Sequence, residues 1–127
     1  MKHRLLFTSS AVIMMLYGLL WLVIPTIGLA LHGHDVTTND LASTIARFWG
    51  SAFVGMAIML WLARLGQSDS IAVRAIVYGG FVVAVTGLFA AIMDVLYAGP
   101  NALIWLSIAL YAIFSVWFGI VAFKKVS

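Results

Sequence analysis

The sequence predicts an all-α integral membrane protein, folded as one antiparallel bundle of four transmembrane helices with both termini in the cytoplasm. Two observations predict this fold class: four long apolar runs cover nearly the whole chain, and the charges between them alternate from side to side. The runs are Leu5 to Leu31, Leu41 to Leu65, Ile71 to Tyr97 and Ala102 to Phe123. Each exceeds the about 20 residues that a helix needs to cross the hydrocarbon core.

The composition excludes a water-soluble domain and any site that depends on cysteine. The 127 residues are 65% hydrophobic and 9% charged, with a mean hydropathy of +1.14, whereas an ordinary soluble domain is about 25% charged. Four spans and their connections use up the length, so we expect residues 1–127 to form a single transmembrane domain without a soluble enzymatic module. The chain has no cysteine, which excludes disulfides, thiolate metal sites and cysteine nucleophiles.

The first apolar run is interpreted as a retained helix, although a basic start before an apolar run also resembles a signal peptide. A signal core spans only about 7 to 15 residues, and this run is much longer. Pro25 lies near its far end. Because the proline ring removes a backbone hydrogen bond, we expect a kink there.

Basic residues set the predicted orientation, because lysine and arginine near helix ends favour the cytoplasmic side. Six of them flank the apolar runs on one face of the membrane: Lys2, Arg4, Arg64, Arg74, Lys124 and Lys125. The opposite face receives the loop 32–40 and the turn 98–101, neither of which contains lysine or arginine. The net charge of +3 is thus explained by topology, and we expect no nucleic-acid partner.

The connections indicate antiparallel neighbours. Residues 66–70 form a short breaker cluster in which Ser68, Asp69 or Ser70 can cap the third helix. Gly99, Pro100 and Asn101 stop one helix and start the next. Such short connections favour an up-down-up-down bundle.

Small residues recur along the predicted third and fourth helices. In lipid, close approach through small residues is what holds helices together. Spacings of three and four residues place these positions on continuous helical faces, which we interpret as packing seams. The seam residues are Gly80, Ala84, Gly87 and Ala91 on the third helix, and Ser115 and Gly119 on the fourth.

Arg47 and Asp94 are the charged residues of the apolar runs that fall in the predicted outer half of the membrane. A charge within a membrane nearly always pairs or lines a cavity. We therefore expect an ion pair that joins the second helix to the third. The alternative is an outer polar pocket in which Arg47 binds an anion, a lipid headgroup or a partner.

The first loop contains His32 and His34 near Asp35, which are weak candidates for metal ligands. A metal site needs three or four convergent ligands, and the other outer turn supplies neither histidine nor carboxylate. We therefore expect no metal site and interpret the segment as a solvated loop. No catalytic motif and no transmembrane histidine for haem are present, so we expect neither an enzyme nor a cofactor.

The segment from Ala46-Arg47-Phe48-Trp49-Gly50 through Gly55 to Trp61-Leu62-Ala63-Arg64 enters the second helix after an outer loop. This layout resembles small uncharacterised bacterial membrane proteins of the DoxX-like four-helix type. The resemblance implies a four-helix bundle in the bacterial cytoplasmic membrane. It matches Arg47 and Gly50 as positions and implies no defined substrate or cofactor.

These observations favour a small non-enzymatic membrane protein that acts as an accessory or assembly subunit, or binds lipid or another apolar ligand between its helices. Membrane lipids are the expected partners, with assembly into a homo-oligomer or a larger membrane complex as a further option. The alternative is an oligomeric channel or transporter for a small solute. It ranks lower because the middle of the predicted bundle has no charged side chain.

The orientation is testable by single-cysteine labelling, since no native cysteine interferes. We expect Asn101→Cys to react with an impermeant thiol reagent from outside intact cells, and Gln67→Cys to react only after the membrane is opened. Labelling of Asn101→Cys from the cytoplasmic side alone would overturn the predicted orientation.

Overall fold

The computed structural model describes residues 2–33 and 40–124. Within these ranges the chain is entirely helical apart from its turns. The helices are α1 (Lys2–Val23), α2 (Pro25–Leu31), α3 (Asp40–Ala63), α4 (Ile71–Ala98) and α5 (Ala102–Phe123). Four of them, α1, α3, α4 and α5, are long and apolar enough to cross a membrane. The predicted all-α class and the four candidate spans are confirmed.

The first apolar run is two helices rather than one kinked helix. α1 ends at Val23, Ile24 leaves the helical conformation with φ −129° and ψ 58°, and Pro25 occupies the start of α2. The ring of a proline disfavours the helical conformation in the residue before it. A proline at the first position of a helix costs nothing, because that N–H has no intrahelical partner. The expected kink is therefore a break, one residue before the proline.

Side-chain caps start the last two helices. The Ser70 hydroxyl accepts a hydrogen bond from the Val73 N–H at 3.2 Å, so Ser70 is the cap among the three candidates in that turn. Asn101 accepts from the Ile104 N–H at 2.9 Å. Gly99, with φ +87°, ends α4, a conformation that only glycine adopts without strain.

α1 and α3 pack with their backbones in contact, at a crossing of two glycines. A methyl group placed on Gly50 would lie 2.6 Å from the Leu22 backbone nitrogen and 2.7 Å from the Gly18 carbonyl oxygen. One placed on Gly18 would lie 2.9 Å from the Val54 nitrogen. Neither position has room for a side chain. Gly18 and Gly50 therefore set the distance and the rotation of this helix pair.

α4 and α5 pack differently, with aromatic rings of α5 seated on glycines of α4. The Phe118 ring lies 2.5 Å from where a Gly80 methyl group would be, and the Tyr111 ring covers Gly87 in the same way. Gly119 of α5 faces the Phe81 ring at 3.2 Å. The contacts at these glycines are with aromatic rings, whereas those at Gly18 and Gly50 include backbone atoms of the facing helix.

The two helix pairs meet at both ends of the molecule. At the end called here the His3 end, His3 Nε2 lies 3.1 Å from the Gly66 carbonyl oxygen. The hydrophobic core lies beside it and consists of Leu6, Phe7, Ala11, Leu60, Val73, Val77 and Phe118. At the opposite end, called the His32 end, the Asn101 side chain donates to the His32 carbonyl oxygen at 2.9 Å.

The glycine crossing gives a stability prediction with an internal control. Gly50→Ala should destabilise the protein by about 1 to 3 kcal/mol, because the new methyl group must push two backbones apart. Gly55→Ala in the same helix meets nothing within 4 Å and should be neutral, or more stable by up to about 1 kcal/mol through helix propensity. Unfolding in mixed detergent micelles measures both variants. Equal stability of the two variants would contradict the close contact.

Candidate functional site

A cavity of about 830 Å³ lies between the α1–α3 pair and the α4–α5 pair. Each of the four long helices contributes one stripe of residues to its wall, which also includes Leu29 of α2 and His32 directly after α2. The wall is overwhelmingly apolar. Its polar members are Ser10, Tyr17, His32, Asp94, Ser107 and Tyr111, with the indoles of Trp21 and Trp49.

The lining residues of each helix follow the helical repeat. On α1 they include Ser10, Met14, Tyr17 and Trp21, and on α3 they include Ala42, Ala46, Trp49, Phe53 and Met56. These two stripes were not predicted from the sequence, although spacings of three and four residues mark them. Apolar residues occur on most faces of both helices, so the spacing alone does not show which stripe faces inward.

The predicted seam residues of α4 have two roles. Gly80, Ala84, Gly87 and Ala91 all line the cavity, and Gly80 and Gly87 also receive the rings from α5. On α5 the seam positions contact α4 less directly. Ser115 donates its hydroxyl to the Tyr111 carbonyl oxygen of its own helix at 2.6 Å.

Asp94 and Arg47 occupy different surroundings. Asp94 lines the cavity within about 6 Å, one helical turn, of the last residue of α4. Arg47 is exposed and is absent from the cavity wall. It shares a face of α3 with Gly50 and Val54, which contact α1. The structure does not bring the two residues together on the cavity wall, and their ion pair stays a prediction.

His32 is buried, with 7% of its surface exposed, so the solvated loop expected there is wrong at this residue. Its Nδ1 lies 2.9 Å from the Gly28 carbonyl oxygen and must donate, since a carbonyl only accepts. Its ring packs against Trp21 with centroids 5.0 Å apart. The physical reason is α2, which turns back after Ile24 and carries His32 under the indole.

His34, the other weak candidate for a metal ligand, lies outside the described residues. Across residues 2–33 and 40–124, no group of three or more His, Cys, Asp or Glu side chains is placed to hold a metal ion.

Two hydroxyl groups from α1 are buried without a hydrogen-bond partner. They are Ser10 Oγ and Tyr17 OH, and both residues line the cavity. Ser10 is only 3% exposed. A buried polar group that makes no hydrogen bond costs about 1 to 3 kcal/mol. The wall therefore carries unsatisfied polar atoms in otherwise apolar surroundings.

Comparison of the chain with protein-family models, with curated proteins and with solved structures gives no match in any of the three. The resemblance to DoxX-like four-helix proteins stays a prediction.

A double-mutant cycle tests the Arg47–Asp94 ion pair. If the two side chains touch, Arg47→Gln and Asp94→Asn should each destabilise the fold, by up to about 3 kcal/mol when the pair is well buried and less near an interface. The double variant should then cost less than the sum of the two. Additive effects on the free energy of unfolding would show that the residues do not touch, as expected if Arg47 keeps its exposed position.

Proposed function

We propose that this protein is a small, non-enzymatic, multi-pass membrane protein that binds a lipid chain or another apolar molecule in the cavity between its helices. The observation that carries the proposal is the apolar cavity between two closely packed helix pairs. Its volume of about 830 Å³ falls in the range of about 300 to 1,000 Å³ that is typical of small-molecule sites. The lining favours an apolar occupant over a hydrated one.

The size of the cavity favours a small ligand over an inserted partner helix. A helix that spans the membrane is about 30 Å long and 10 Å wide, larger than the small-molecule sites whose volume the cavity matches. An accessory or assembly role, if present, would then use the lipid-facing surfaces of the helices. The cavity itself suits a chain or a compact ring system.

The proposed setting is the bacterial cytoplasmic membrane, with an up-down-up-down bundle and both termini in the cytoplasm. The positions of the lysines and arginines support this orientation. The contact of His3 with Gly66, and that of Asn101 with His32, agree with helices that alternate in direction. In this orientation the His32 end faces outward and the His3 end faces the cytoplasm.

Filling the cavity tests the proposal. Gly79 lines the cavity, and a Cβ atom added there meets nothing within 4 Å, so we expect the ring of Gly79→Phe to take up ligand space without displacing a helix backbone. Gly55→Phe is the matched control, since Gly55 is equally unobstructed but is not in the wall. Native mass spectrometry of protein purified in mild detergent reports the bound molecules directly.

We expect the wild type and Gly55→Phe to retain a copurified lipid or other apolar molecule, and Gly79→Phe to lose most of it. Equal retention by all three proteins, or no bound molecule in the wild type, would refute ligand binding in the cavity. Thermal stability of the two variants provides the folding control.

A further inference from the structure

Resting on the proposed apolar site, we infer that the cavity selects molecules that carry a positive charge: its ligand class is a bulky or elongated lipophilic cation. Three features of the wall support this selection. They are the sign of its formal charge, the position of that charge at one end, and the aromatic side chains around it.

The sign of the charge comes from Asp94. Among the described residues that line the cavity, Asp94 is the only one with a carboxylate, and none is a lysine or an arginine. Asp94 has an interaction partner of its own. The proposed selection follows from the charge of its carboxylate. In apolar surroundings a single fixed charge acts strongly on a bound ion, because little water screens it.

Arg47 does not oppose that charge inside the cavity. Its side chain is exposed, on a face of α3 that continues into Gly50 and Val54, while the cavity face of α3 carries Ala46, Trp49 and Phe53. An anion pocket built on Arg47 would need α3 to rotate about its axis until Arg47 faced the cavity, and the glycine crossing prevents this rotation. The cavity is therefore expected to prefer cations, whereas the outer pocket predicted from the sequence around Arg47 would bind anions.

The position of the charge follows from the contacts at the His32 end. Asp94 lies one turn before the end of α4, and the Asn101 side chain after that helix holds the His32 carbonyl. Trp21 packs on the His32 ring, and the backbone beside Gly50 touches Trp21 and Leu22, which places Trp49 at a similar level. Carboxylate and indoles thus share one end of the cavity.

Aromatic faces favour cations, because the ring quadrupole presents its negative side to them. Trp21 and Trp49 stand at the charged end, and Tyr17, Tyr111 and Phe114 continue the wall beyond them. Ser10 adds an unpartnered hydroxyl that is nine-tenths buried in the same wall. A ligand with a cationic group at the His32 end and an apolar body beside these rings matches the carboxylate and the aromatic part of the lining.

The test uses two ions of nearly the same shape and opposite sign, tetraphenylphosphonium and tetraphenylborate. Their binding to the full-length protein in mild detergent is measured by equilibrium dialysis, with protein-free micelles as the blank. The measurement is made at one fixed pH for all the proteins, because His32 lines the same end.

We expect the wild type to bind tetraphenylphosphonium more tightly than tetraphenylborate. Asp94→Asn should weaken phosphonium binding by roughly tenfold, as removal of one partly screened unit charge would, and should leave borate binding unchanged or improved. Asp94→Glu should keep the preference. Asp69→Asn removes an exposed carboxylate outside the cavity and should leave both affinities unchanged.

Preferred binding of the borate, or phosphonium binding that Asp94→Asn leaves unchanged, would overturn the inference. So would absence of binding by both ions. In each case the copurified molecule and its loss in Gly79→Phe would still decide the proposed function separately. Loss of phosphonium binding in Asp94→Asn but also in Asp94→Glu would show that the residue supports the wall and not the charge, and would overturn the inference as well.

Discussion

The contact between the backbones of Gly18 and Gly50 is the constraint on which the rest of this structure depends. In a membrane there is little hydrophobic drive to press one helix onto another, so the association of α1 with α3 requires an approach close enough for extensive van der Waals contact. Two glycines at one crossing permit that approach. They also fix the rotation of α3 about its own axis, because a face that carries side chains could not approach α1 as closely.

The rotation of α3 decides which chemistry the cavity has. With Gly50 and Val54 turned toward α1, the neighbouring stripe of Ala46, Trp49 and Phe53 faces the cavity, and Arg47 is left exposed. Rotation of α3 about its axis by one residue position would move this stripe away from the cavity and bring Arg47 into the wall. The sign of the charge inside the cavity is thus a consequence of helix packing some distance away from Asp94.

Much of the fold was predictable from the sequence because its signals are local. The lengths of the apolar runs, the Ser70 and Asn101 caps, and the glycine at the end of α4 depend on neighbouring residues only. Pro25 showed where the first apolar run departs from a regular helix but not how, since both a kink and a break are compatible with the missing N–H of proline. The non-helical conformation of Ile24 identifies it as a break and not a kink.

The site was less predictable because it depends on helix rotation. In a soluble protein the inward face of a helix is its apolar face, whereas α4 and α5 are apolar all round, so that signal is absent here. Asp94 was recognised from its charge alone, and the seam on α4 from its small residues. The stripes on α1 and α3 were missed, and His32 was assigned to solvent because nothing in the loop sequence shows that α2 folds back beneath Trp21.

The hydroxyls of Ser10 and Tyr17 are buried in the cavity wall without a hydrogen-bond partner. Apolar residues of similar size at these positions would remove a cost of about 1 to 3 kcal/mol for each buried group without a partner. A wall shaped only for stability would carry Ala and Phe there. Local departures from the stable choice concentrate where a protein binds something. The same cavity wall holds Gly79, Gly80 and Gly87, the buried hydroxyls and the carboxylate, a combination that supports the proposed binding site.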